Sequence, residues 1–281
     1  MRGVGIVTDA SAQFLTSHFP GRERVHFLPW SIRWAGEHYP ADDAELARRL
    51  PPSLVRREGP TWAFPTEEAI AAWLQPLMRR YDALLLLPLG SGLGELFQRV
   101  NEAAAAFAAH YPVYAIDTHT LGAGLGWLVQ ESAALAAAGA DVFTLLRHTR
   151  GMSSRIYTAV SPRALTYLCR GGFLEPDQAI VGEMLEMYPF FVLEEGRWVP
   201  LHKARSSRHL LDLMQEFASE FVSLEKMAVL HPPQYFQREA RNLHERFRHS
   251  HEGVPVKVAE MNAVTAAMLG PRTLALFVLA A

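Results

Sequence analysis

The feature that most constrains the fold is the uninterrupted apolar run Ala83–Leu89, which follows Asp82 and stops at Gly90-Ser91-Gly92. The run has the length of a strand. A strand without polar alternation is buried on both faces, as in a parallel sheet covered by helices. The residues that follow repeat the same grammar. An Ala-rich helix is predicted directly after Gly92, then a strand at Pro112–Ile116 and a polar turn at Asp117-Thr118-His119-Thr120. An apolar helix then spans Leu121–Ala138 and ends at Gly139. This βαβα alternation predicts a mostly parallel sheet flanked by helices.

The preceding residues fit such a sheet. Val4–Val7 reads as a strand ending in Thr8-Asp9-Ala10-Ser11. Residues 25–39 alternate and carry aromatics, which predicts one or two strands and a hairpin around Ala35-Gly36. A helix is expected from Asp42-Asp43, and a loop over residues 59–65 by its prolines. Another helix starts at Thr66, with Glu67 and Glu68 in its positive first turn and Ile70, Trp73, Leu74 and Leu77 on its apolar side. After a helix near Asp141–Met152 the pattern changes to mixed elements. These are a strand at 156–160, a hairpin at 189–201, helices at 207–221 and 233–249, and strands at 227–230, 254–259 and 273–279. Two domains are expected, an N-terminal α/β domain over residues 1–150 and a C-terminal mixed α/β domain over 151–281.

Composition narrows the function classes. With 281 residues, 49% of them hydrophobic, and a formal net charge of -2, the chain can bury two cores and carries no strong field for nucleic acid. Its single cysteine, Cys169, leaves no partner for an intrachain disulfide and no cluster for a structural zinc. The N-terminus turns acidic at Asp9, too early for a signal peptide. The longest apolar stretches fall far short of the roughly 20 residues that span a bilayer. A cytoplasmic protein without membrane insertion is expected.

Strand-ending loops are where an open α/β sheet presents ligand-binding groups, and Thr8, Asp9, Ser91, Asp117 and Thr118 all fall in them. Each of these residue types also serves simply to cap a helix. Gly90-Ser91-Gly92-Leu93-Gly94 lacks the third glycine of a dinucleotide fingerprint and the Gly-Lys-Ser ending of a phosphate loop. It also lacks the flanking glycines of a nucleophile elbow. Gly122-Ala123-Gly124-Leu125-Gly126 fails as a dinucleotide fingerprint in the same way. What remains is an exposed hydroxyl with the amides of Gly92 and Leu93 at a helix N-terminus, suited to holding an anion. His244, His249 and His251 match no zinc spacing, and no metal is expected. His119 stands in a loop beside Asp117.

Taken in order, these loops resemble the DegV family across nearly the whole chain. The family's opening Thr-Asp-Ser loop is similar to Thr8-Asp9-Ala10-Ser11, and its Thr-Ser-x-Pro segment to Thr61–Glu68. Its Ser-Ser-Gly-Leu-Ser-Gly-Thr turn is similar to Gly90–Leu96, and its Ile-Asp-Ser turn to Ile116-Asp117-Thr118 with Gly122–Gly126. The Leu-x-x-Gly-Gly-Arg and Lys-x-Arg segments match Leu168–Phe173 in part and Lys203-Ala204-Arg205. The resemblance implies a two-domain fold that buries one long-chain fatty acid between its domains, without a further cofactor. It also implies that Thr61 and Ser91 hold the carboxylate, with Gly92, Leu93 and Met268 beside it. Arg205, Thr8, Asp9 and Thr118 become candidate head-group or partner contacts. Some members present the acid to a separate fatty acid kinase, the carrier itself supplying no catalysis.

Three positions depart from the family pattern. Met268 stands where the family has a histidine, Phe173 replaces an arginine, and Gly94 replaces a serine. Two alternatives therefore accompany the lipid-binding expectation. One is a ligand-binding regulator without kinase coupling. The other is an enzyme acting on a small phosphorylated or acyl substrate through Asp9, Ser91, Asp117 and His119.

Overall fold

The computed structural model describes residues 3–54 and 57–281. In chain order its strands are β1 (Val4–Asp9), β2 (Val25–Leu28), β3 (Ser31–Trp34), β4 (Glu37–Pro40), β5 (Thr61–Ala63), β6 (Ala83–Leu86), β7 (Val113–Ala115), β8 (Ile156–Pro162), β9 (Tyr188–Glu194), β10 (Arg197–Ala204), β11 (Leu224–His231), β12 (Val256–Glu260) and β13 (Thr273–Ala280). The helices are α1 (Leu46–Arg49), α2 (Glu67–Arg80), α3 (Leu96–Ala105), α4 (Gly122–Ala137), α5 (Val142–Ser153), α6 (Leu165–Arg170), α7 (Pro176–Met184), α8 (Ser207–Ser219), α9 (Gln237–Ser250) and α10 (Ala263–Leu269).

The chain divides into two compact units, Met1–Ser31 with Ala63–Arg155, and Ile32–Trp62 with Ile156–Ala281. The first is built on the sheet β2-β1-β6-β7, in which every pairing is parallel. Every residue of β1 and β6 is buried. That is the burial an apolar run without alternation requires, with α2 packed on α3 and α4 on α5 around the sheet. Thr66 caps α2 by accepting the Ala69 amide at 3.3 Å, and Asp141 caps α5 by accepting the Thr144 amide at 2.8 Å. The strand order reverses direction between β1 and β6, the switch point at which open α/β sheets bind ligands.

The second unit holds the six-stranded sheet β10-β9-β8-β13-β11-β12, antiparallel except between β11 and β12. Its core joins β11 and β13 to the apolar faces of α8 and α9, with Leu210, Met214, Leu243 and Phe247 fully buried beside Val229 and Leu276. The C-terminal apolar run is β13, central in this sheet. A smaller sheet, β4-β3-β5, is formed mostly by residues of Ile32–Trp62, which count with the same unit.

The units therefore differ from contiguous halves at 1–150 and 151–281, because Ile32–Trp62 leaves the first sheet and packs with the second unit. Specific bonds hold it there. Tyr167 donates its phenol to the Pro51 carbonyl at 2.7 Å, the Leu54 amide donates to Thr166 Oγ1 at 2.9 Å, and Ser53 Oγ donates to Glu183 at 2.6 Å. Glu183 also accepts the Thr166 amide at 2.8 Å, so a carboxylate from α7 satisfies the first turn of α6, which has no side-chain cap of its own.

Two predicted helices change. The helix expected from Asp42-Asp43 shrinks to the single turn α1, since Asp43 Oδ1 accepts the Glu45 amide and Pro51-Pro52 follow closely. The helix expected directly after Gly92 begins only at Leu96. The residues Ser91–Leu93 form a separate 3₁₀ turn in which the Leu93 amide donates to the Gly90 carbonyl at 3.0 Å.

Candidate functional site

At the switch point the loops after β1 and β6 are locked by one carboxylate. Asp9 is fully buried, and its Oδ1 accepts the Ser11 amide at 2.8 Å and Trp30 Nε1 at 3.4 Å. Its Oδ2 accepts the Leu89 amide at 2.7 Å. Burial pushes the Asp9 carboxyl above its ordinary value, while the donors from Ser11, Leu89 and Trp30 pull it down. Thr8 beside it donates Oγ1 to the Leu87 carbonyl at 2.8 Å, and Thr118 is buried with its hydroxyl toward the Pro88 carbonyl at 3.5 Å. Thr8, Asp9 and Thr118 were expected as candidate head-group or partner contacts. Their polar atoms are instead buried and engaged in fixing the loop that carries Ser91.

The glycine clusters have structural explanations. Gly90 donates to the Thr120 carbonyl at 3.2 Å, and a Cβ at Gly90 would lie 2.7 Å from both His119 Cα and the Thr120 nitrogen. Only glycine lets the two loops approach this closely. Gly122 has φ 56°, donates to the Ser11 carbonyl at 2.8 Å and accepts the Gln13 amide at 2.9 Å. A Cβ at Gly126 would collide with the Gln13 carbonyl. This second cluster admits the loop after β1 against α4.

Ser91 itself is exposed, and so is Gly92. The Ser91 amide donates to Asp117 Oδ1 at 3.0 Å, the same oxygen that accepts the His119 amide at 3.1 Å. The loops after β6 and β7 thus present the Ser91 hydroxyl from a doubly anchored turn. Leu93 departs from expectation, since its amide is used within the turn and its side chain is buried.

The second unit carries the remaining expected residues. Thr61 is exposed on β5, next to β3, where its hydroxyl lies 3.4 Å from both Nε and the carbonyl oxygen of Arg33. Arg33 escaped the sequence reading because strand pairing alone brings it to Thr61. Met268 is buried in α10, which is capped by Asn262 accepting the Thr265 amide at 2.9 Å. Gly270 follows with φ 86°, where a Cβ would lie 2.8 Å from Ala164 Cβ. Arg205 is exposed in the turn between β10 and α8. Among the described residues no group of three or more His, Cys, Asp or Glu is placed to hold a metal ion. No helix among them is long and apolar enough to cross a membrane.

Comparison with known proteins agrees with this architecture. A DegV domain-containing protein of Streptomyces coelicolor is 27% identical over 286 residues, covering 99% of this chain and 98% of that protein. The fatty acid binding DegV family protein of Streptococcus agalactiae superposes with a TM-score of 0.85 at 20% identity, covering 100% of both chains. The Streptococcus pneumoniae Fatty Acid Kinase (Fak) B3 protein, loaded with linoleic acid, gives a TM-score of 0.85 at 14% identity, again over 100% of both chains. At these identities the structural likeness establishes a shared fold. The family model described as "Uncharacterised protein, DegV family" matches residues 3–281, and the chain therefore belongs to the DegV family.

Proposed function

We propose that this chain is a cytoplasmic fatty-acid-binding protein, with the hydroxyls of Thr61 and Ser91 and the amide of Gly92 as donors to the carboxylate. The observation that carries the reading is the Ser91 loop. It exposes a hydroxyl from a turn held by Asp117, and among the described residues no base is hydrogen-bonded to that hydroxyl. A serine so placed can donate to an anion, whereas a nucleophile needs a base within hydrogen-bond reach. A long-chain acid suits these groups, since each buried CH2 contributes about 0.8 kcal/mol and the carboxylate must be met by donors. The shared fold with the fatty acid binding protein of Streptococcus agalactiae and the linoleic-acid-loaded pneumococcal protein supports this ligand class.

A second reading, presentation of the bound acid to a separate fatty acid kinase, is favoured by the likeness to the Fak B3 protein. Arg205, exposed ahead of α8, is then the candidate docking contact. Mass spectrometry of small molecules extracted from natively purified protein tests the first reading, with a long-chain fatty acid expected. Protein that carries none and binds none by calorimetry sinks it. Incubating loaded protein with ATP and a fatty acid kinase of the same organism tests the second, with acyl phosphate expected.

A further inference from the structure

His119 takes no part in the function just proposed, yet the first unit builds a constrained position for it. Its φ of 50° is left-handed, a conformation uncommon outside Gly, in which Asn, Asp and His are the most frequent other residues. Its backbone is held there. Asp117 Oδ1 accepts the His119 amide, and Gly90 abuts the His119 backbone so tightly that a Cβ there would reach within 2.7 Å of the His119 Cα. The imidazole remains 48% exposed, with Nδ1 3.4 Å from Asp117 Oδ1. That same oxygen accepts the Ser91 amide, so the ring lies within two hydrogen-bond lengths of the Ser91 backbone. Among the described residues Nε2 has no partner.

We propose that His119 is a further head-group contact of this protein, donating from Nε2 to the carboxylate that Ser91 holds. The inference rests on the fatty-acid reading. The other donors in this loop are the Ser91 hydroxyl and the Gly92 amide, and a carboxylate leaving water needs its remaining lone pairs met by further donors. The thioether of Met268 has no proton to give. Asp117 alone would repel the ligand. With Nδ1 beside Asp117, the outward Nε2 is the ring atom left to meet the ligand.

The test compares wild type with His119→Asn by calorimetry, using a long-chain fatty acid and its methyl ester. Asparagine tolerates a left-handed backbone, so the loop keeps its shape, and the melting temperature reports on that. The expected result is an affinity for the acid about tenfold lower, the size of one charge-assisted hydrogen bond, with ester affinity and melting temperature unchanged. Unaltered affinity for the acid overturns the inference and leaves the fatty-acid reading standing. Parallel losses for acid and ester overturn it too, because they mark a merely structural role. A wild-type protein that binds neither ligand overturns both.

Discussion

The Asp9 carboxylate accepts the Leu89 amide at 2.7 Å, and through this bond the loop after the first strand holds the loop that ends in Ser91. The bond crosses the switch point of the parallel sheet, where no backbone ladder continues to join the two segments. Asp9→Ala leaves the amides of Ser11 and Leu89 and the Trp30 indole without this acceptor. The expected cost is at least about 2 kcal/mol, since each buried donor left unmet costs roughly 1–3 kcal/mol. Urea unfolding of wild type and variant measures it, and an unchanged midpoint would refute the bracing role of Asp9.

Gly90→Ala puts a methyl group 2.7 Å from His119 Cα and from the Thr120 nitrogen. Both are backbone atoms of an anchored loop and cannot step aside as a flexible side chain would. Overpacking of this kind costs about 1–3 kcal/mol. Thermal melting should show the loss, accompanied by weaker fatty acid binding as Ser91 is displaced.

Thr61→Val combined with Ser91→Ala removes the two exposed hydroxyls. Because both side chains are exposed, stability should stay within about 0.5 kcal/mol of wild type. Binding of a long-chain fatty acid, followed by calorimetry, should be lost. Retained binding would place the head group elsewhere.

Tyr111 gives a dependence on alkaline pH. Its phenol donates to the Tyr81 carbonyl at 2.7 Å and is pushed up from 10.0 to about 12, first by burial and then by the charge of Asp82. The unfolded chain ionises at the lower value. The stabilisation from the protonated phenol is therefore fully present below pH 10 and lost as pH rises through 12. Tyr111→Phe should be less stable by about 1 kcal/mol at neutral pH, a gap that closes between those limits. Denaturation curves of both proteins across that range provide the check.

Glu183 ties Ser53 to the first turn of α6 through its bonds to Ser53 Oγ and to the amide and hydroxyl of Thr166. Glu183→Ala should destabilise the protein by roughly 1–3 kcal/mol, with Glu183→Gln losing less because an acceptor oxygen survives. Chemical denaturation ranks the three proteins. Equal losses for the two variants would mean that the charge, and not the acceptor geometry, carries the contribution.

Local pattern determined a good part of this protein. The unbroken apolar runs that became β6 and β13 had to be buried strands, because only a doubly covered strand tolerates side chains that are apolar on both faces. Thr66 and Asp141 marked helix starts because a cap is a contact between near neighbours in sequence. The ordered loops from Thr8 to Lys203 carried the family resemblance. Tertiary structure decided what those loop residues do. Thr8, Asp9 and Thr118 read as potential ligands and proved to be braces, because partners such as Leu87, Pro88 and Leu89 lie far along the chain and meet them only when the parallel strands align. The placement of Ile32–Trp62 with the second unit and the nearness of Arg33 to Thr61 arise in the same way, from long-range hydrogen bonds and strand pairing. The joint hold of Asp117 on Ser91 and His119 does as well. Periodicity reports which face of an element is buried. The identity of the atoms that meet across the fold depends on chain closure over many residues, which no local spacing encodes.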